Sequence, residues 1–367
     1  MARARSCSMT RRVAVSLAVV VASGCAMDAQ TDPAINPRVT VLPHVPGPDM
    51  TVSSNALAFP RSGNDTLLDL GVGDIVVSGA GEGFLRRVSS VDAARDHILI
   101  ATTDADLSDA LLDGSIAGSF GGQGKADTHQ LPAISFSTSN NDLVREGNVL
   151  VKVLNASLSL DPQVDLDIGV QGGSLSMFEL VLRGKLSGDI DLDIDALEGS
   201  GGPEITLWQS PPTIFYQQVG ILPVVETITT SVRLKVEAVA RGRGRLHIHA
   251  GASTTIEAGI KYDASGWSPV ATETHHAEGN VPGSSATFDE VGARAWLVAR
   301  VDVKLYGVAG PYVRVGPQIE IVRDRIHDDF DGSVGVRADV GGQVKFGMWE
   351  LPSLPALELF NTLTPAF

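Results

Sequence analysis

Ser231-Val-Arg-Leu-Lys-Val-Glu-Ala-Val-Ala-Arg-Gly-Arg-Gly-Arg-Leu-His-Ile-His-Ala250 alternates apolar and polar residues at almost every step. Val232, Leu234, Val236, Ala238, Leu246 and Ile248 fall on one parity, and Arg233, Lys235, Glu237, Arg241, Arg243, Arg245, His247 and His249 on the other. A period of two is that of a β-strand, whose successive side chains point to opposite faces, so the stretch predicts a long strand with one buried and one wet face. Strands usually stop at about 10 residues, and a bend or bulge is expected at Gly242 or Gly244.

The same pattern extends outward in both directions. Val164, Leu166, Ile168 and Val170 alternate with Asp165, Asp167 and Gly169, while Ile190, Leu192 and Ile194 alternate with Asp189, Asp191, Asp193 and Asp195. Residues 252–262 read as a return strand after a turn at Ala250-Gly251, and residues 292–322 as long strands interrupted at Gly307, Gly310-Pro311 and Gly316-Pro317. Nearer the start, the runs 74–79, 83–91 and 97–103 are short apolar strands broken by glycine. Between Asp104 and Gly114 one short helix is expected, capped by Asp104 or Asp106. The glycine-rich stretch 118–128 is the expected domain boundary. The fold class is therefore all-β: a small β-barrel-like module over residues 51–120, then a larger antiparallel β-sandwich or open barrel with long strands over residues 121–367.

Composition agrees with that class. Of 367 residues 43% are hydrophobic, enough for a large core, and 39 are glycine, scattered without a period of three, as turn-rich β structure requires. Beyond residues 13–23 no apolar run approaches the ~18 residues of a spanning helix, which excludes a multispan helical protein. With 43 acidic against 28 basic residues the chain lacks the basic footprint that nucleic acid demands.

The opening residues form an export signal. Arg3, Arg5, Arg11 and Arg12 precede the apolar stretch Val13–Ala22, and small residues follow up to Cys25. Met9-Thr-Arg-Arg12 is by itself a compact basic start, so Met9 is an alternative initiator. Ala22-Ser23-Gly24-Cys25 resembles the lipobox of bacterial lipoproteins, although Ala22 stands where that family prefers leucine. The resemblance covers residues 1–25 and implies removal of residues 1–24 and acylation of Cys25. A signal-peptidase cut after Ala26 is the alternative, leading to secretion or the periplasm. Residues 25–50, with prolines at 33, 37, 43, 46 and 48, read as an extended tether. Loss of residues 1–24 leaves 24 basic and 43 acidic residues, a net charge of −19, and no cysteine beyond Cys25, so core burial rather than disulfides must hold the body together. The segment from Gly73 to Leu111 also resembles one found near the start of uncharacterised secreted β-rich bacterial proteins, to which no activity attaches.

Three groups of residues are candidates for chemistry. Asp189, Asp191, Asp193 and Asp195 place four carboxylates on one strand face, with Asp165 and Asp167 expected on a neighbouring strand. Such a face is solvated, neutralised by a ladder to Arg241, Arg243 and Arg245, or bridged by calcium. His247 and His249 share a strand face at a spacing used by zinc sites, with His275-His276 as a source of a third ligand, against the simpler reading of a solvent-facing pair. Trp267, in a turn, is a sugar-stacking platform or else packs beneath its loop. GxSxG, HExxH, Walker and GxGxxG motifs are absent. No catalytic residue and no firm cofactor emerge, although a glycosidase carboxylate pair is not legible from sequence spacing. The expectation is a non-catalytic protein, anchored by lipid at the outer membrane or cell surface, with a binding or structural role and an envelope partner. The alternatives are a secreted hydrolase of polysaccharide or ester, and a lipid carrier with an apolar cavity.

Overall fold

Residues 231–250 lie inside one strand of 42 residues, Leu222–Asp263, in the computed structural model. The structure describes residues 32–42, 50–121, 131–139, 143–196, 199–202, 204–280, 285–308, 310–323, 330–342, 345–346, 349–350 and 354–365. The first strands are β1 (Ala34–Ile35), β2 (Val39–Val41), β3 (Thr51–Val52), β4 (Ala56–Pro60), β5 (Ile75–Ser78), β6 (Phe84–Ala93) and β7 (His97–Asp104). One helical turn, α1 (Leu107–Ala110), leads into β8 (Leu111–Gly121), followed by β9 (Ile134–Thr138), β10 (Leu143–Glu146), β11 (Val149–Gln171) and β12 (Ser174–Ala196). Next come β13 (Gly199–Gly201), β14 (Glu204–Gln209), β15 (Thr213–Val219), the long strand β16 (Leu222–Asp263), β17 (Gly266–Asn280) and β18 (Ser285–Leu305). The chain closes with β19 (Pro311–Arg323), β20 (Phe330–Gly342), β21 (Lys345–Phe346), β22 (Trp349–Glu350) and β23 (Leu354–Pro365).

The large sheet is antiparallel and runs β1-β8-β11-β12-β16-β18-β19-β20-β23. Its spine is β16. Along one edge β16 meets β15, β14, β13 and β12 in turn, and along the other β18 and then β17. A straight strand of this length would reach about 140 Å at ~3.3 Å per residue. The register with β18 slips opposite Arg241 and Gly242, but the extra residue is Asp289 on β18, so the bulge expected at Gly242 or Gly244 falls on the neighbouring strand. No turn forms at Ala250-Gly251: both residues pair with β12 on one side and β17 on the other, so the strand continues to the turn at 263–266.

The sheet folds onto itself, bringing its apolar face inside. Gly188 of β12 lies so close to Pro317 of β19 that a Cβ there would stand 2.9 Å from the proline ring, and a Cβ on Gly279 of β17 would stand 2.3 Å from a Val334 methyl of β20. Neither pair is joined in the sheet ladder, so these are contacts between facing layers, at positions where only glycine leaves room. The alternating residues supply the core between them: Ile168, Ile190, Leu192, Leu234, Val236 and Ile248 are all fully buried. This is the expected sandwich or open barrel, made from one bent sheet.

The second sheet, a curled half-barrel, runs β2-β5-β6-β7-β4-β3. Leu57, Val76, Phe84, Val88, Ile98 and Ile100 fill it, whereas Ile75, Val77 and Leu85 on the other parity join the main core. Three boundaries differ from the sequence reading. Residues 34–35 and 39–41, within the stretch read as a tether, are strands that add to β8 and β5. The helix spans one turn, closed by the Asp106 N–H donating to the Asp109 carboxylate, and ends early because Leu111 is drawn into β8 by pairing with β1. β8 then enters the expected junction as far as Gly121, the rest of that stretch lying outside the described residues, and joins the large sheet along β11. Gly316-Pro317 also fails to break its strand. A proline has no N–H to give a ladder, and the β18–β19 pairing lapses opposite it, between Trp296↔Gln318 and Ala299↔Val315. The Trp296 indole N–H donates to the Gly316 carbonyl in the gap.

Candidate functional site

On β11 beyond the register slip at Val153/Asn155, on β12 from Arg183 to Asp195 and along the second half of β16, the odd-numbered residues point away from the core and make a polar face, whereas before the slip the odd residues Val149, Val151 and Val153 are buried. The acidic strand and the basic strand of the sequence reading are neighbours. In register, Asp195 stands opposite Arg245, Asp193 opposite His247, and Asp191 opposite His249. The contacts run on the diagonal. Arg245 bonds Asp193, His247 Nε2 lies 2.7 Å from Asp191 Oδ1, and His249 Nε2 lies 3.6 Å from Asp189 Oδ2. Strand twist brings diagonal neighbours together, so each base reaches the acid one pleat along. The ladder's partners are thus Arg245, His247 and His249. Arg241 and Arg243 lie beyond the end of β12, on the stretch that pairs with β18, and their side chains lie outside the described residues.

The other acids are arranged differently from the sequence reading. Asp165 stands opposite Val181 rather than another carboxylate, and Arg183 bonds both Asp165 and Glu257. Asp167 faces Glu179, and burial, followed by the Glu179 charge, pushes its carboxyl above the usual range against the opposing pull of Lys261. His276 and His275 stand opposite Ser253 and Thr254, several residues along β16 from His249, with His275 Nδ1 2.8 Å from Glu273 Oε2. Among the described residues no three His, Cys, Asp or Glu side chains are grouped to hold a metal ion. Trp267 packs on Tyr262 and Phe178, ring centres 4.9 and 5.7 Å away, at the β16–β17 turn. Cys25 lies outside the described residues.

Between the Arg183 group and the histidine ladder the face carries short side chains, and there the surface sinks. One row of register runs Ser159, Ser187, Ser253, His276, and the next Asp161, Lys185, Thr255, Thr274. Two adjoining depressions of about 530 and 660 Å³ share Asp161, Lys185, Thr255 and Thr274. Asp161 and Lys185 are opposed in register, yet no ion pair within 4 Å joins them or ties either to another described residue. The sequence reading missed this trough. Its signal was available in Ser157-Leu-Ser159 and Ser253-Thr-Thr255, where hydroxyls replace the charged residues that occupy the outward parity elsewhere.

Two further polar groups lie apart from the trough. On β18–β20 Arg314 makes two hydrogen bonds, 2.6 and 2.7 Å, to the fully buried Asp339, and the Trp296 ring lies between Arg314 and Arg337. Glu226 points into the core at 1% exposure, and burial raises its carboxyl to about 7 despite the hydrogen bond from Gln217.

No family model, no curated protein and no solved structure matches this chain.

The ladder makes a direct test possible. Arg245→Glu sets a third negative charge beside Asp193 and Asp195, and the expected loss is about 1 kcal/mol at low salt, shrinking at 1 M salt where the Debye length is ~3 Å. Urea unfolding at both salt levels reads this out, and a midpoint that stays put at low salt would remove the ladder as a stabilising feature.

Proposed function

We propose that this chain is a non-catalytic envelope protein, anchored by lipid on Cys25 at the outer membrane or cell surface, whose polar sheet face binds an envelope or surface partner. The observation that carries the reading is Ala22-Ser23-Gly24-Cys25 behind a basic and then an apolar segment. A body of net charge −19 is repelled by anionic headgroups, so the anchor must do the holding. Two or three acyl chains suffice, since each buried methylene contributes ~0.8 kcal/mol and one chain alone is marginal. The absence of catalysis is argued from how the charges are spent: Asp189, Asp191 and Asp193 each lie against a base, and the carboxyl raised to about 7, on Glu226, is shut inside the core.

The trough favours a secreted hydrolase as the second reading. A lipid carrier is favoured less, because Gly188 against Pro317 and Gly279 against Val334 fill the space between the layers at those points. The deciding experiment is the intact mass of protein extracted from membranes of its host. A chain beginning at Cys25 with the added mass of acyl groups is expected. A chain beginning at Ala26 or later, recovered from the medium, overturns the anchor and moves the hydrolase to first place.

A further inference from the structure

We infer that the trough across β11, β12, β16 and β17 is a binding site for a neutral, hydroxyl-rich saccharide chain, with Asp161 and Lys185 as its two polar anchors. The inference names the ligand class of the binding face proposed above and so rests on that reading.

Shape comes first. Along β16 the outward positions change from long charged side chains to short hydroxyls and back, and β12 sets Lys185 and Ser187 beside them. Arg183 and Glu257 stand at one end, Asp189 and His249 at the other, with Ser187, Ser253 and Thr255 between them. Three rows of register are about 14 Å along the strands, and four strands are about 14 Å across, so the trough is about as long as it is wide. Its two depressions adjoin along the strands, one over Ser159, Ser187, Ser253 and His276 and the other over Gln163, Arg183, Glu257 and Thr272, and they share the row between. A footprint of that size spans more than one sugar ring, so it admits a chain of rings.

Chemistry narrows the class. The floor offers hydroxyls, each able to donate and accept, which match the hydroxyls of a sugar and not an apolar tail. On this face Arg183 closes with the Glu257 opposite it and Lys261 with the Glu179 opposite it, while Arg245 turns from Asp195 to Asp193. Asp161 and Lys185 face each other and remain open. A carboxylate accepts from two adjacent hydroxyls of one ring, an ammonium donates to ring and hydroxyl oxygens, and hydrogen bonds to charged groups are the stronger ones. Charge disfavours polyanions through the strongly acidic body rather than through the flanks, where Arg183 bridges Asp165 and Glu257 and His249 lies against Asp189.

The test is titration calorimetry on the full mature chain with three pentasaccharides as probes: cellopentaose or maltopentaose as the neutral chain, a chitosan pentamer as the cationic one, and an oligogalacturonate as the anionic one. A neutral chain is expected to bind with a millimolar or tighter Kd, and Asp161→Ala and Lys185→Ala, both exposed and free of structural partners, should each weaken it by about tenfold. The anionic chain should not bind. The proposal is overturned if no neutral chain binds at millimolar concentration, if the two variants bind as well as the parent, or if the anionic chain binds best. Failure of the wider reading looks different. Shortening of the bound saccharide over hours, seen by mass, means a hydrolase whose groove is nonetheless real, and an unacylated N-terminus removes the anchor without touching the titration.

Discussion

Glu226→Gln is expected to raise stability at pH 8 by about 3 kcal/mol and to leave stability at pH 4 nearly unchanged. The carboxyl goes from 4.5 in the unfolded chain to about 7 in the folded one, because burial disfavours its charged form. At about 1.4 kcal/mol per unit of pKa, that difference is worth about 3 kcal/mol. The sign follows from which state holds the proton. The folded state binds it more tightly, so the contribution is fully present below pH 4.5 and is lost as the pH rises through about 7. Gln217 on β15 donates to Glu226, and Tyr306, just past β18, has its phenol pushed up by burial and by Glu226, so it stays neutral. Tyr306 donates to the Pro223 carbonyl and leaves Glu226 without that donor. A neutral glutamine keeps a hydrogen-bonding partner for Gln217 and removes the buried charge. Denaturant midpoints of parent and variant from pH 4 to pH 8 test this. Parallel curves would show that Glu226 titrates as an ordinary surface acid does.

What the sequence showed and what it hid divide along one line. Periodicity of two is local, so the strands at 164–170, 189–195 and 231–250 and their wet and dry parities could all be read from it. Which strand lies beside which is not local. The acids of residues 189–195 and the bases after residue 240 were visibly complementary, but only the register, set by the 219–222 turn far away, decides that Arg245, His247 and His249 face them. The turn imagined at Ala250-Gly251 failed for a related reason. Two small residues resemble a turn, yet with a neighbour on each side the backbone gains more from two ladders than from reversing. The helix after Asp104 shortened in the same way, since Leu111 has both a helical neighbour at Leu107 and a strand partner at Ile35, and the partner won. Glu226 was legible as a residue and not as a problem, because its parity with Val224 and Ile228 reveals burial only once the strand is known to be covered.

Arg314→Met is expected to cost about 3 to 5 kcal/mol, the largest loss from any single charge on the β18–β20 face. Asp339 is fully buried and receives both Arg314 bonds in a bidentate fork. Take the guanidinium away and a carboxylate is left in the interior with its desolvation uncompensated, and that penalty, more than the lost attraction, sets the magnitude. The planar group also lies 5.3 Å from the centres of both the Trp296 and Tyr312 rings, so its removal loosens the packing that holds the indole N–H on the Gly316 carbonyl. Arg314→Lys keeps the charge and loses the fork, and should fall between the two. The pair itself need not be strongly stabilising. Arg314→Met combined with Asp339→Leu removes both charges, and such exchanges are often neutral or favourable, so the double variant should recover most of the loss. Urea unfolding of the parent, the two single variants and the double variant closes the cycle, and a loss below about 1 kcal/mol for Arg314→Met would mean that water or a neighbouring cation reaches Asp339. The location makes the consequence wider than one contact. Arg314 sits where Pro317 interrupts the β18–β19 ladder, so here side chains take over work that backbone hydrogen bonds do elsewhere in the sheet. Fraying under mild denaturant, followed by amide exchange, should therefore begin at residues 296–299 and 315–318 in the Arg314→Met chain.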